Sequence, residues 1–194
     1  VHDDIDQVLT NRRLFSDHIC QFAPNAQAIS WLNQTHSTKV LSLTKANADE
    51  LVEADAVYTQ AVNVPCTVMT ADCMALLISD TEGTEVAAIH AGWKGLLDGV
   101  IEATIHAFSS PRNNLHVWFA PAISSKHYEI GEDVAALFSS FPMALTASAL
   151  AGKYHLDLTS VARQKLHSMG VTQLYYSDIC TYSSPDLFSH RRAT

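Results

Sequence analysis

Three side chains that bind soft metals occupy three short segments of the sequence: His36 in Asn33-Gln-Thr-His36, Cys73 in Thr70-Ala-Asp-Cys73 and His90 in Ile89-His-Ala-Gly-Trp93. Two imidazoles and one thiolate leave the fourth position of a tetrahedral zinc ion open to water, the pattern of a catalytic rather than a structural metal. Water held in that way loses a proton near neutral pH and becomes a nucleophile. The same residues serve a second chemistry without metal, in which His36 or His90 activates Cys73 as the nucleophile of a hydrolase or amidase. Separations of 37 and 17 residues include no local ligand pair, so spacing does not choose between these readings. With ten histidines in the chain, any one taken singly reads as a surface or hydrogen-bonded core residue, and Cys73 as a small buried apolar one.

Each of the three groups is expected at the end of a strand, where a rigid scaffold presents function. Ile5, Val8, Leu9, Leu14 and Ile19 recur at helical spacing and predict a helix over 3–19, with Asp3 and Asp4 favourable at its start. Runs rich in β-branched and apolar residues predict strands over 28–32, 39–43, 56–59, 67–70, 75–79, 86–90, 115–119 and 171–176. Ala91-Gly92 forms the turn into a helix predicted over 93–108, and 133–138 and 157–169 are helical in period, the last stopped by Gly170. Segments 146–152 and 181–189 read as loops. Strands followed by helices and strands again imply an α/β (α+β) sandwich, a mixed β-sheet with flanking helices in a single domain.

The chain has 194 residues, 47% of them hydrophobic, enough for one domain with a substantial core. Its formal charge of −8, with Arg12-Arg13 and Arg191-Arg192 the longest basic runs, removes the electrostatic footprint of a nucleic-acid or anionic-membrane binder. No apolar run approaches the roughly 20 residues that span a bilayer. Cys20, Cys66, Cys73 and Cys180 lie far apart with no CxxC pair, which implies reduced thiols and a cytoplasmic location.

Taken in order, six motifs resemble the YfiH family, also called the laccase-domain or polyphenol oxidase family. They are Trp31-Leu-Asn-Gln-Thr-His36, Glu53-Ala-Asp-Ala-Val57, Thr70-Ala-Asp-Cys73, Ile89-His-Ala-Gly-Trp-Lys-Gly95, Ala120-Pro-Ala-Ile123 with Tyr128-Glu-Ile-Gly131, and Cys180-Thr-Tyr182 with Phe188-Ser-His-Arg-Arg192. The resemblance implies a single YfiH-like domain over 1–194 that lacks the family's opening segment and its C-terminal end. It assigns metal binding and catalysis to His36, Cys73 and His90. The activity it implies is zinc-dependent phosphorolysis of purine nucleosides (adenosine, inosine, methylthioadenosine), with adenosine deamination beside it. The partners are then a purine nucleoside and phosphate.

Around the triad, Asp72 is expected to act in catalysis as a proton shuttle or an orienting carboxylate, with Glu129 as the other candidate shuttle. Lys94 and Arg191 are expected to hold phosphate, and Gln34 and Trp93 to shape the pocket. The bland readings are turn capping for Asp72, strand entry for Asp55, core packing for Trp93 and solvated charge for Lys94 and Arg191. Copper is the other metal such a ligand set accepts, and the family's older name implies a phenol oxidase. A multicopper enzyme needs paired His-x-His patterns, which this sequence lacks, and Ser124-Ser-Lys-His127 replaces a Gly-Pro-Cys-Cys stretch frequent in the family. Lys94 stands where the family commonly has arginine, and Ala75 where it commonly has proline. The further alternatives are a Cys73 hydrolase editing peptidoglycan precursors and a binding protein that keeps only a structural metal.

Overall fold

The computed structural model describes residues 4–44 and 52–194. Its elements run α1 (Ile5–Phe22), β1 (Val40–Leu43), β2 (Ala56–Thr59), β3 (Met74–Asp80), β4 (Val86–Ala91), α2 (Trp93–Asp98), α3 (Val100–Ala107), β5 (Leu115–Phe119), β6 (Glu129–Gly131), α4 (Glu132–Leu137), β7 (Leu145–Ala147), β8 (Lys153–Leu156), α5 (Leu158–Ser168), β9 (Gln173–Tyr176) and α6 (His190–Ala193).

Six strands form one mixed sheet in the order β1-β2-β4-β3-β5-β9, and β6-β8-β7 form a small antiparallel sheet beside it. The four central strands are antiparallel, while β1 and β9 join the edges in parallel. Because side chains alternate across a strand, Leu76 and Ile78 of β3 turn inward and Leu77 turns out. On the inner face, Leu96, Ile101 and Ile105 from α2 and α3 and Val161 and Leu166 from α5 pack with Leu76, Ile89 and Val117 into one core. The predicted mixed sheet with flanking helices is the architecture found. Asp3 of the first predicted helix lies outside the described residues; α1 starts where the Asp4 side chain accepts from the backbone N–H groups of Asp6 and Gln7.

Several expectations need correction. Segments 28–32 and 67–70 belong to no named strand. They lie against the domain, burying Ile29 and Leu32, with the Thr67 hydroxyl donating to the Ser30 carbonyl at 3.3 Å. Strand propensity measures fit to a pleated surface, and the edges of β2 and β3 are already taken by β1, β4 and β5. The helix predicted over 93–108 is two helices broken at Gly99, whose φ of 102° is the left-handed conformation that a Cβ disfavours. The loop predicted over 146–152 gives its first two residues to β7. Strands as short as β6, β7 and β8 carry too little alternation to be read from sequence.

These elements deliver the site. The β3–β4 register sets Ala75 opposite His90 and Met74 opposite Ala91, which brings Cys73, just ahead of β3, beside the end of β4.

Candidate metal centre and active site

Asp55 immediately precedes β2 and is fully buried, a position that costs several kcal/mol unless every carboxylate lone pair is used. It is used heavily. Its oxygens accept from the backbone N–H groups of Thr35 (3.2 Å), His36 (3.0 Å) and Ser37 (2.6 Å), and from the Ser37 hydroxyl (2.7 Å). Oδ1 also lies 2.8 Å from His90 Nδ1. Burial alone would push the Asp55 carboxyl up, but these bonds outweigh it and hold the group below the ordinary aspartate range. An ionised carboxylate only accepts, so His90 carries its proton on Nδ1 and offers Nε2 to the site.

One carboxylate therefore fixes two of the three ligands. It ties the 35–37 backbone, where His36 sits at a φ of 60°, and it orients the His90 ring. The ligand atoms of His36, Cys73 and His90 all lie within 4.8 Å of one another. Cys73 Sγ is 3.7 Å from His36 Nε2, and the two imidazole rings meet edge to face at 4.7 Å. For zinc with bond lengths near 2.3 Å to sulfur and 2.0 Å to nitrogen, the edge of the tetrahedron is about 3.5 Å, so the set fits. Gly92 makes the close approach possible: a Cβ there would stand 2.7 Å from His36 Cδ2 and 3.0 Å from Cys73 Sγ.

Burial lowers the His90 pKa against the opposing pull of Asp55, which keeps the ring neutral and free to ligate. Burial, helped by Asp72 and Asp55, pushes the Cys73 thiol up to about 11. That is unfavourable for a free thiolate nucleophile, and a bound dication reverses it by supplying the missing positive charge.

Of the ligands, only His90 is strand-borne; His36 and Cys73 sit in loops, against the expectation of strand ends. Asp72 adopts a φ of 86° and commits its carboxylate to the C-terminal segment: Oδ1 accepts from the Thr181 hydroxyl at 2.6 Å and Oδ2 from the Arg191 N–H at 2.7 Å. It straps the C-terminal segment against the ligand loop. The Arg191 guanidinium donates to the Glu129 carbonyl at 3.1 Å and lies 5.3 Å from the centre of the Tyr128 ring. Glu129 accepts from the Ser148 hydroxyl at 2.6 Å. Gln34 commits its amide to the Met69 backbone, donating at 2.8 Å and accepting at 2.7 Å. Trp93 packs on the core, and Lys94 is exposed, 5.8 Å from the Trp93 ring centre.

Sequence reasoning missed Asp55, Gly92, Tyr128 and Thr181 as parts of this site. A signal existed for Asp55: an acid between Ala54 and Ala56, in a run too apolar for a solvated charge, needs partners.

The sequence profile of the multi-copper polyphenol oxidoreductase laccase family matches residues 1–194. The chain belongs to that family. Among relatives of this laccase-family chain, the Haemophilus influenzae protein named purine nucleoside phosphorylase is 40% identical over 198 residues, covering 99% of this chain and 79% of its own. The Escherichia coli protein named purine nucleoside phosphorylase YfiH is 39% identical, covering 98% and 77%. A Neisseria meningitidis crystal structure superposes with a TM-score of 0.88 at 36% identity over 99% of this chain and 78% of that one. Bacillus licheniformis YfiH does so with a TM-score of 0.82 at 26% identity, with the same coverage. Within the described residues of this laccase-family chain, His36, Cys73 and His90 are the one group of three or more His, Cys, Asp or Glu placed to hold a metal. No helix among those residues is long and apolar enough to cross a membrane.

Proposed function

We propose that this chain is a zinc-dependent purine nucleoside phosphorylase acting on adenosine, inosine and methylthioadenosine, with adenosine deamination as a second activity. The observation that carries this reading is the His36–Cys73–His90 cluster held by Asp55, together with the activity named for its relatives. When bound, zinc supplies a Lewis acid and an acidified water ligand at the open fourth position.

His36 Nε2, Cys73 Sγ and His90 Nε2 would hold the ion, and Asp55 keeps His90 in the tautomer that could do so. In phosphorolysis a phosphate oxygen bonds to the ribose anomeric carbon as the bond from that carbon to the purine nitrogen breaks. The electron pair leaves with the base, which takes up a proton. Fixed positive charge must hold the phosphate, and of the two candidates Arg191 is better placed than Lys94, because Asp72 anchors its backbone beside the ligand loop. In deamination, water adds at the purine carbon bearing the amine and ammonia departs. Asp72 spends both oxygens on Thr181 and Arg191 and so serves as a strap, which leaves Glu129 the proton shuttle. Four free cysteines support a reducing, cytoplasmic setting.

Copper is disfavoured as the working metal because one cluster of three ligands, rather than several clusters, is found among the described residues. The decisive experiment combines metal analysis with a phosphate-dependent adenosine assay on wild type, Cys73→Ala and His90→Ala. About one zinc per chain, with adenine released by wild type alone, supports the reading. Stoichiometric copper with phenol oxidation overturns it in favour of the oxidase. Metal-free protein with no nucleoside turnover overturns it in favour of a Cys73 hydrolase or a binding protein.

A further inference from the structure

Tyr128 has no place in the scheme above, yet it packs against Arg191, the residue assigned to phosphate. Its ring lies 5.3 Å from the Arg191 guanidinium carbon, and the Arg191 backbone N–H reaches Asp72, the chain neighbour of Cys73. Among the described residues, the Arg191 guanidinium makes one hydrogen bond to protein, through Nη1 to the Glu129 carbonyl at 3.1 Å. Its planar fork carries five donors, so most of its capacity is available to an anion. The backbone of Arg191 does not wander, since its N–H is tied to Asp72 Oδ2 at 2.7 Å and the same carboxylate is tied to Thr181.

We propose that Tyr128 and Arg191 together form the subsite that holds inorganic phosphate against the metal centre, with Asp72 as the positioning residue that sets Arg191. The inference rests on the phosphorylase reading and names which side chains touch its second substrate. The pairing suits a tetrahedral oxyanion: a two-pronged cation and a neutral O–H donor come from adjacent side chains, both half-buried, where charge-assisted bonds are strong. An ordinary phenol is neutral throughout the neutral range, so Tyr128 is an O–H donor there and adds no negative charge to repel phosphate. The subsite also explains why the carboxylate beside Cys73 is committed to Thr181 and Arg191: Asp72 sets the distance between the anion and the reaction centre.

The test is calorimetric titration of inorganic phosphate into the zinc-loaded full chain, with steady-state kinetics on the same samples. Tyr128→Phe is expected to weaken phosphate binding about tenfold, the loss of one hydrogen bond to a charged group, and to raise KM for phosphate alike while KM for adenosine stays within about twofold. Arg191→Gln, the second variant should Tyr128→Phe misfold, is expected to weaken phosphate binding by more, with zinc content unchanged. Asp72→Asn is expected to raise KM for phosphate rather than lower zinc content. Wild type that fails to bind phosphate, or variants that bind it as wild type does, overturns the subsite. Phosphate binding that depends on Tyr128 and Arg191 without any nucleoside turnover upholds the subsite and removes the phosphorylase reading. Phosphate-dependent turnover in which these variants alter only adenosine KM does the reverse.

Discussion

His90 Nδ1 lies 2.8 Å from Asp55 Oδ1, and that one contact joins the metal-binding face of β4 to the loop that carries His36. The carboxylate acts on both ligands at once, on one through its ring and on the other through its backbone N–H. Removing it should therefore cost metal affinity out of proportion to its distance from the ion.

For Asp55→Asn, a fall of about 10- to 100-fold in zinc affinity is expected, the usual effect of losing an orienting carboxylate. Asp55→Ala should also lose about 3 kcal/mol of stability, because several buried donors are left without an acceptor. Competition with a chelating dye measures the first and urea unfolding of the metal-free protein the second. Unchanged affinity in both variants would show that His90 is oriented by something else.

Gly92→Ala places a methyl group against His36 Cδ2 and Cys73 Sγ. Gly92 has a φ of −68° and a ψ of 165°, which alanine adopts freely, so backbone strain is not at issue. The expected result is at least about a tenfold loss of zinc affinity and activity with about 1 kcal/mol lost from the metal-free fold, the low end for overpacking, because the atoms met belong to side chains. Equal losses in both would assign Gly92 to packing instead.

Far from the site, Glu85 is 2% exposed and accepts from Tyr58 (2.5 Å), Gln60 (2.8 Å) and the N–H groups of Ser109 (2.9 Å) and Ser110 (2.8 Å). Burial raises its pKa, but these bonds outweigh it and leave the carboxyl well below its ordinary value of 4.5. A depressed folded-state pKa gives stability that is present above the unfolded value and is lost as pH falls toward the folded one. Stability should therefore decline steadily below about pH 4.5. Glu85→Gln should lower stability at pH 7 by about 2 kcal/mol and make the acid decline shallower, as read from urea midpoints across pH. An acid limb identical to that of wild type would remove Glu85 as its source.

Gly99 joins α2 to α3 at a φ of 102°. Gly99→Ala is expected to cost about 1–2 kcal/mol, visible as a lower Tm, with zinc affinity retained because the ligands lie on the other side of α2 in sequence. A Tm unchanged from wild type would mean that the backbone there relaxes without penalty.

What could be read without the structure follows from how local each signal is. Strands β2 and β5 and the helical segments are written in short apolar runs and periodicity, and Gly170 ends its helix through local backbone preference. The three members of the candidate metal group were legible as well, because only a few residue types bind soft metals and their motifs follow the family order. Pairing was not. Segments 28–32 and 67–70 have strand composition, but whether an extended run joins a ladder depends on a free edge, which is a property of the whole sheet.

The sequence by itself named the candidate metal ligands, and it determined the mixed sheet with its helices and the acidic balance that argues against nucleic acid. Only the tertiary structure decided which polar groups serve the centre directly and which hold it together. Asp55 became the anchor of two ligands, Asp72 the strap to Arg191, and Gln34 a tie to Met69. Those roles depend on contacts across 19 to 119 residues of chain, and hydrogen bonds of a few ångströms select among the polar side chains only after the sheet has brought them within reach.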